Sequence, residues 1–159
     1  MTVKTKNHKT GKYAKRLQKL ADFLKQLPEE KFDLSSITDL EKCEYKVEFV
    51  EKHMLEPNCG ATACAIGWMP KVFPQLVEWK PDSSFDDSDL KVVLRGGSYI
   101  SDFSVADEVF NLTGSESFYL FDPGYYPRAK KEQTAKKVAA RIEQFIKTGI
   151  PKNHELYRG

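Results

Sequence analysis

Asn58-Cys59-Gly60-Ala61-Thr62-Ala63-Cys64-Ala65-Ile66-Gly67-Trp68 is the stretch on which the fold turns, because small side chains cover every face of any helix it would form. A helix without bulk lets neighbouring backbones come close. The segment therefore predicts a central buried helix, capped by Asn58, that serves as the hub of the core. Downstream, Pro70 and Pro74 bracket a short turn that delivers Phe73, Leu76, Val77 and Trp79 to that core, and Lys80-Pro81-Asp82-Ser83-Ser84 reads as a surface loop. Upstream, Thr38 and Glu41 have capping-box spacing, and Leu40, Cys43, Val47, Val50 and Met54 follow in steps of three and four, which predicts a helix up to Pro57. Tyr45, Val47 and Phe49 also alternate with Lys46 and Glu48 as a strand would; the longer period explains more residues, so helix is the reading adopted.

Farther out the patterns are plainer. Leu17, Leu20, Ala21, Leu24 and Leu27 lie on one helical stripe that starts near Tyr13 and stops at Pro28. A terminal helix is expected from about Lys131 to Thr148, with Ala135, Val138, Ala139, Ile142, Phe145 and Ile146 on its inner face, Gly149 as cap and Pro151 beyond. Between them, Leu90 to Arg95 and Ser98 to Ile100 flank Gly96-Gly97, the signature of a hairpin. Ser104 and Asp107 open a short helix that turns Val105, Val109 and Phe110 inward and ends at Thr113-Gly114. Another, Glu116 to Phe121, stops at Asp122-Pro123-Gly124. The expected architecture is mainly α, of the α+β kind: one compact helical bundle around a small-residue central helix, with a minor β-hairpin. Residues 1–12 are read as a flexible basic arm, 13–151 as a single globular domain and 152–159 as a tail.

Composition sets the class. Of 159 residues, 40% are hydrophobic and 30% charged, which suits a folded domain that needs no disulfide or metal to hold its core. Twenty-five Lys and Arg against 23 Asp and Glu leave a net charge of +2, too balanced for a surface devoted throughout to nucleic acid. The 3 cysteines, with no hydrophobic leader after Met1, predict reduced thiols in the cytoplasm, and no apolar run is long enough to cross a membrane.

Four blocks carry a resemblance: Leu20 to Ser36 (LADFLKQLPEEKFDLSS), Cys59 to Trp68 (CGATACAIGW), Asp107 to Pro127 (DEVFNLTGSESFYLFDPGYYP) and Val138 to Ile146 (VAARIEQFI). Taken in order, they resemble a group of small proteins of bacteria and their tailed phages, in which Cys-Gly-x-x-x-Cys-Ala-x-Gly sits between Leu-rich and Leu-Phe-x-Pro segments. The resemblance implies a mainly helical cytosolic fold and transfers no catalytic residue. Phage accessory proteins of this size are often host-takeover or anti-defence factors, so it also implies a binding protein that covers a host protein or sequesters a phosphate-bearing, nucleotide-like signal.

The residues themselves offer little catalytic chemistry. Cys59 and Cys64, with Cys43 and His53, would be soft ligands for zinc, but Cys-x4-Cys lacks knuckle spacing, and five helical steps would separate the thiols by about 140°. No metal and no cofactor are expected. Cys59 near a helix start, with His53 as base, or a carboxylate such as Asp102 or Asp107, would suit a hydrolase or transferase acting on a nucleotide-like substrate, but no orienting partner or oxyanion motif accompanies them. Asp82, Asp86, Asp87 and Asp89 lack EF-hand order and read as a solvated loop.

The better clue is basic and aromatic. Arg128, Lys130, Lys131, Lys136, Lys137 and Arg141 follow the run Phe118, Tyr119, Phe121, Tyr125 and Tyr126. These cations could hold phosphates while a ring stacks on a base; the commoner arrangement, expected here, has Phe118 and Phe121 in the core and the lysines on the wet face of the terminal helix. Tyr125 and Tyr126 stand in a Pro and Gly turn, where aromatics mark contact surfaces. Tyr125, Tyr126, Arg128, Lys130 and Lys131 are therefore the candidate ligand-binding residues, with cations for phosphate and rings for a base. The basic arm offers a third route, nucleic-acid binding, since residues 1 to 21 carry Lys4, Lys6, Lys9, Lys12, Lys15, Arg16 and Lys19 and no acid.

Overall fold

The computed structural model describes residues 9–42, 52–56, 59–81, 90–96, 100–152 and 154. Helix α1, Gly11–Gln26, buries Leu17, Leu20, Ala21 and Leu24, the stripe read from its spacing. It starts inside the expected arm: the Lys9 amide donates to the Ile146 carbonyl at 3.2 Å. At the far end, the Ala135 amide donates to the Glu29 carboxylate at 3.2 Å, so the first and last helices run antiparallel. The last helix, Ala135–Thr148, buries every residue assigned to its inner face. It begins later than expected, because the Thr134 hydroxyl caps it and Lys130–Glu132 forms a separate 3-10 turn.

The small-residue segment is not a helix. Thr62–Ala63 is a strand, β2, paired antiparallel with β1, Thr38–Asp39, and residues 65–68 turn into a four-residue helix, α2, Met69–Val72. Its role as hub stands: Cys59, Ala61, Ala63, Cys64, Ala65, Ile66 and Trp68 are all buried. Small residues serve there because the chain threads between other backbones. A Cβ on Gly60 would strike the Lys42 backbone, and one on Gly67 would overlap the carbonyl of Ile37 and come within 2.7 Å of the Ala63 Cβ. Trp68 completes the hub. Its indole N–H donates to the Lys31 carbonyl at 3.0 Å, and its ring meets Phe23 at 5.9 Å and Trp79 at 6.3 Å.

The helix expected from Thr38 fails at its start for a local reason. The Thr38 hydroxyl is taken by the backbone of Leu90 rather than by capping, donating to the Leu90 carbonyl at 2.8 Å and accepting the Leu90 amide at 2.9 Å. Leu40 and Met54 are buried as read, whereas Cys43, Val47 and Val50 lie outside the described residues, as do Asn58 and the aspartates of the acidic loop.

Strand β4, Leu90–Leu94, pairs antiparallel with β3, Val77–Pro81. On the side of the expected hairpin an antiparallel bridge joins Val93 to Ser101 and the Asp102 amide donates to the Val92 carbonyl at 2.9 Å, while Gly97, Ser98 and Tyr99 lie outside the described residues. Burial of Val77, Trp79 and Val92 on one face favours the pairing of β4 with β3, a non-local gain that a turn signal cannot report. Helix α3 is Phe103–Phe110 and α4 is Gly114–Phe121; the last helix is α5. The Ser104 capping box is absent. Asp102 precedes α3 at φ 56 with its carboxylate accepting the Val92 amide at 3.0 Å, and Asp107 instead accepts the Ser117 hydroxyl. The fold is thus α+β: five helices and two antiparallel strand pairs among the described residues. None of these helices is long and apolar enough to cross a membrane.

Candidate functional site

The corner between α4 and α5 carries the candidate residues. Thr113 and Glu116 cap α4 reciprocally, and the Asp122 carboxylate accepts the Gly124 amide at 2.7 Å, which bends the chain into a 3-10 turn at Pro123–Tyr125. That turn sends its two tyrosines in opposite directions.

Tyr126 goes inward, which corrects its assignment as a ligand contact. It is buried, its hydroxyl donates to the Leu120 carbonyl at 2.6 Å, and burial pushes that hydroxyl well above the usual phenol range. Arg141 covers it, the guanidinium carbon lying 3.7 Å from the Tyr126 ring centre and 4.5 Å from that of Tyr119. The same guanidinium donates to the Tyr119 carbonyl at 2.8 Å and to the Tyr125 carbonyl at 2.7 Å. Arg141 therefore clamps the corner through two carbonyls and two ring faces, in place of the phosphate contact for which its cluster was considered.

Tyr125 goes outward into a row of rings. It stacks on Phe118 at 6.1 Å and 18° and on His154 at 6.3 Å and 12°, and Phe118 meets Phe103 at 5.6 Å. His154 also sets its ring against Tyr119 at 4.6 Å and 89°, and burial, reinforced by the nearby Arg141 charge, lowers its pKa below the usual imidazole value. Phe118, expected in the core, is 42% exposed. Phe103 and His154 were not anticipated. A signal for Phe118 existed in the sequence: with Leu120 and Phe121 facing the core, the residue two and three positions earlier falls on the flank of the stripe.

The cations separate from the rings. Arg128, Lys130 and Lys131 are exposed, and Lys130 lines a cavity of about 500 Å³ together with Glu29, Asp33, Gln133 and Thr134. Two carboxylates in that lining make it a poor host for phosphate. The five candidates thus do not form one pocket: Tyr125 belongs to the ring row, Tyr126 to the core and Lys130 to an acidic cavity.

The residues considered for catalysis are taken up structurally. Cys59 and Cys64 are 2% and 3% exposed, and burial pushes the Cys64 thiol up to about 11, against the opposing pull of the Gly67 and Ile66 amides. A thiol so placed stays protonated at neutral pH and is no nucleophile. His53 pairs its Nδ1 with Glu56 at 2.9 Å. Among the described residues, no three His, Cys, Asp or Glu side chains stand together as metal ligands. Comparison with known proteins finds no matching family model, no matching curated protein and no matching solved structure.

Proposed function

We propose that the protein is a non-enzymatic binding protein that docks on another protein through the row Phe103, Phe118, Tyr125 and His154. The observation that carries this reading is the exposed Phe118 ring, held between Phe103 and Tyr125 rather than packed away. Aromatic side chains concentrate in the cores of protein interfaces and supply most of their energy. Rings already ordered by stacking lose little rotamer freedom on binding, so more of the contact energy appears as affinity. Exposed Arg128, Lys130 and Lys131 give the neighbouring stretch of chain a positive character and favour an acidic partner.

The resemblance to small proteins of bacteria and tailed phages makes a host protein the proposed partner, the cytoplasm the proposed setting and host takeover or anti-defence the proposed role. Sequestration of a nucleotide has less support, because Tyr126 and Arg141 are committed to the corner and Lys130 faces carboxylates. Catalysis by Cys59, Asp102 or Asp107 has less still, since each is buried or tied to the fold.

The test is purification of the full chain from bacterial cells beside a Phe118→Ala, Tyr125→Ala double variant. Wild type retains a protein partner in fixed stoichiometry by native mass spectrometry. The double variant, melting at a similar temperature, binds it at least about tenfold more weakly, equivalent to about 1.4 kcal/mol. Equal retention by both overturns the ring row as the docking surface. A stoichiometric, chemically unchanged nucleotide in place of a protein supports sequestration instead, and multiple-turnover conversion of one overturns the non-enzymatic reading.

A further inference from the structure

A second surface carries a different chemistry. Lys12, Lys15, Arg16 and Lys19 recur on α1 at steps of three and four, so they share one face beside the buried stripe of Leu17, Leu20 and Leu24. Lys12 and Arg16 lie over the half-buried Tyr13 ring at 5.1 and 5.8 Å, and Lys19 lies over Phe73 at 5.7 Å. The positive character continues beyond the helix. Lys19 lines one groove with Phe73, Pro74 and Gln75, and Arg16 lines its neighbour with Gln75, Leu76 and Arg95. Lys52 and Lys71 border a third groove against Pro74 and Trp79.

Three acids lie by this surface, and one of them, Asp22, a turn beyond Lys19 on α1, accepts the Gln18 side-chain amide at 2.9 Å and stands 3.8 Å from Lys25. Glu78 is held by Arg95 at 2.8 Å and Glu108 lines the groove beside Arg16, which itself donates to the Val109 carbonyl at 2.8 Å. Among the described residues, Lys12, Lys15, Arg16 and Lys19 have no ion-pair partner within 4.0 Å, whereas Lys25, farther along the same helix, reaches Glu143 at 2.6 Å. Ion pairing does not account for the stripe, although the Arg16 bond to Val109 and the ring contacts of Lys12 and Lys19 contribute to the fold. The first turn of α1 contains no acid, and cations toward the positive end of a helix dipole are unfavourable.

We infer that this face of α1, with the adjoining corner at residues 73–76, binds the phosphate backbone of a nucleic acid. Lys12 to Lys19 spans about 10 Å of helix at 1.5 Å per residue, close to the rise of three nucleotides at 3.4 Å each. Lysine is depleted at protein interfaces, whereas as a point charge it suits a phosphate. The contact is with backbone and therefore independent of base sequence. It is distinct from the protein-docking row and does not rest on it. It narrows the anticipated nucleic-acid contact to the part of the basic stretch that lies on α1.

Fluorescence anisotropy tests this with labelled single-stranded and duplex DNA of about twenty nucleotides, titrated from about 50 to 300 mM salt. Wild type binds with a log K against log salt slope of about −2 to −4, as expected for three or four neutralised phosphates. The triple variant Lys12→Gln, Lys15→Gln, Lys19→Gln, whose side chains are solvent-facing, melts like wild type, loses at least about tenfold in affinity at the lowest salt and flattens the slope by about 2 to 3. The control Arg128→Gln, Lys130→Gln, Lys131→Gln removes the same charge and keeps both values. Equal loss in the two variants, loss confined to Lys4→Gln, Lys6→Gln, or displacement of DNA by a polyglutamate of equal charge would each overturn the assignment.

Discussion

Gly67→Ala is expected to remove at least about 3 kcal/mol of stability, a large share of the roughly 5–15 kcal/mol that holds an ordinary domain together. The added methyl would overlap the Ile37 carbonyl, a backbone group that cannot rotate aside, and would sit 2.7 Å from the Ala63 Cβ. Neither neighbour is free to move. Ala63 is paired with Thr38, and the Thr38 hydroxyl bridges both polar groups of the Leu90 backbone. Displacing Gly67 would also disturb its carbonyl, which accepts the buried Trp79 indole N–H at 2.8 Å. Gly60→Ala meets the backbone of the exposed Lys42 with a smaller overlap than Gly67→Ala makes with Ile37, and should cost less. Gly114, with nothing within 4 Å of a built Cβ, is the control; alanine there should leave stability within about 0.5 kcal/mol of wild type. Urea denaturation of the three variants reads the order directly. A Gly67→Ala midpoint equal to that of Gly114→Ala contradicts the threading of this segment through the core.

Lys31→Met is expected to cost about 2–4 kcal/mol although it keeps the length and most of the volume of the side chain. Lys31 is 2% exposed, and its ammonium donates to the Glu56 carbonyl at 2.6 Å and to the Cys59 carbonyl. One buried cation thus anchors the backbone that leads into the small-residue segment, while its own carbonyl accepts the Trp68 indole N–H. A thioether cannot donate, so Lys31→Met leaves two carbonyls without that donor, each at about 1–3 kcal/mol. Hydrogen exchange should show the loss concentrated in the peptides spanning 52–59 before it reaches α1 or α5. A change under about 0.5 kcal/mol, with unaltered exchange there, would mean that the ammonium contributes nothing to the fold.

The contrast between well-read and misread elements has a physical basis. Helices α1 and α5 are half-buried, so burial stamps a 3.6-residue period on Leu17, Leu20 and Leu24 and on Val138, Ile142 and Phe145. The segment from Cys59 to Trp68 is buried on all sides and carries no period, which leaves close approach legible and secondary structure hidden. A signal against helix was present: Gly60 and Gly67 each disfavour one by about 1 kcal/mol. The Gly96-Gly97 turn speaks only for a neighbour that follows β4; the pairing of β4 with β3, across the acidic loop, has no local signal, and Val77 and Trp79 had been assigned to the core without being assigned to a strand.

At the candidate site, adjacency misled. Nothing in Tyr125-Tyr126 states which ring faces inward, because the 3-10 turn set by Asp122 and Gly124 makes that choice. Arg141 precedes Ile142 on the edge of the buried stripe of α5, and its clamp on the Tyr119 and Tyr125 carbonyls needs three segments brought together. The ring row likewise joins α3, α4, the turn and His154, which no sequence window contains.

Native-state alkylation of the thiols, read by mass spectrometry residue by residue, tests most directly whether Cys59 to Trp68 is an interior strut with unreactive sulfurs. Cys59 and Cys64 should resist iodoacetamide at pH 8 and become labelled only at the rate of global unfolding, accelerating together in urea. Rapid labelling of either thiol in the folded protein would contradict that placement, and with it the non-catalytic reading.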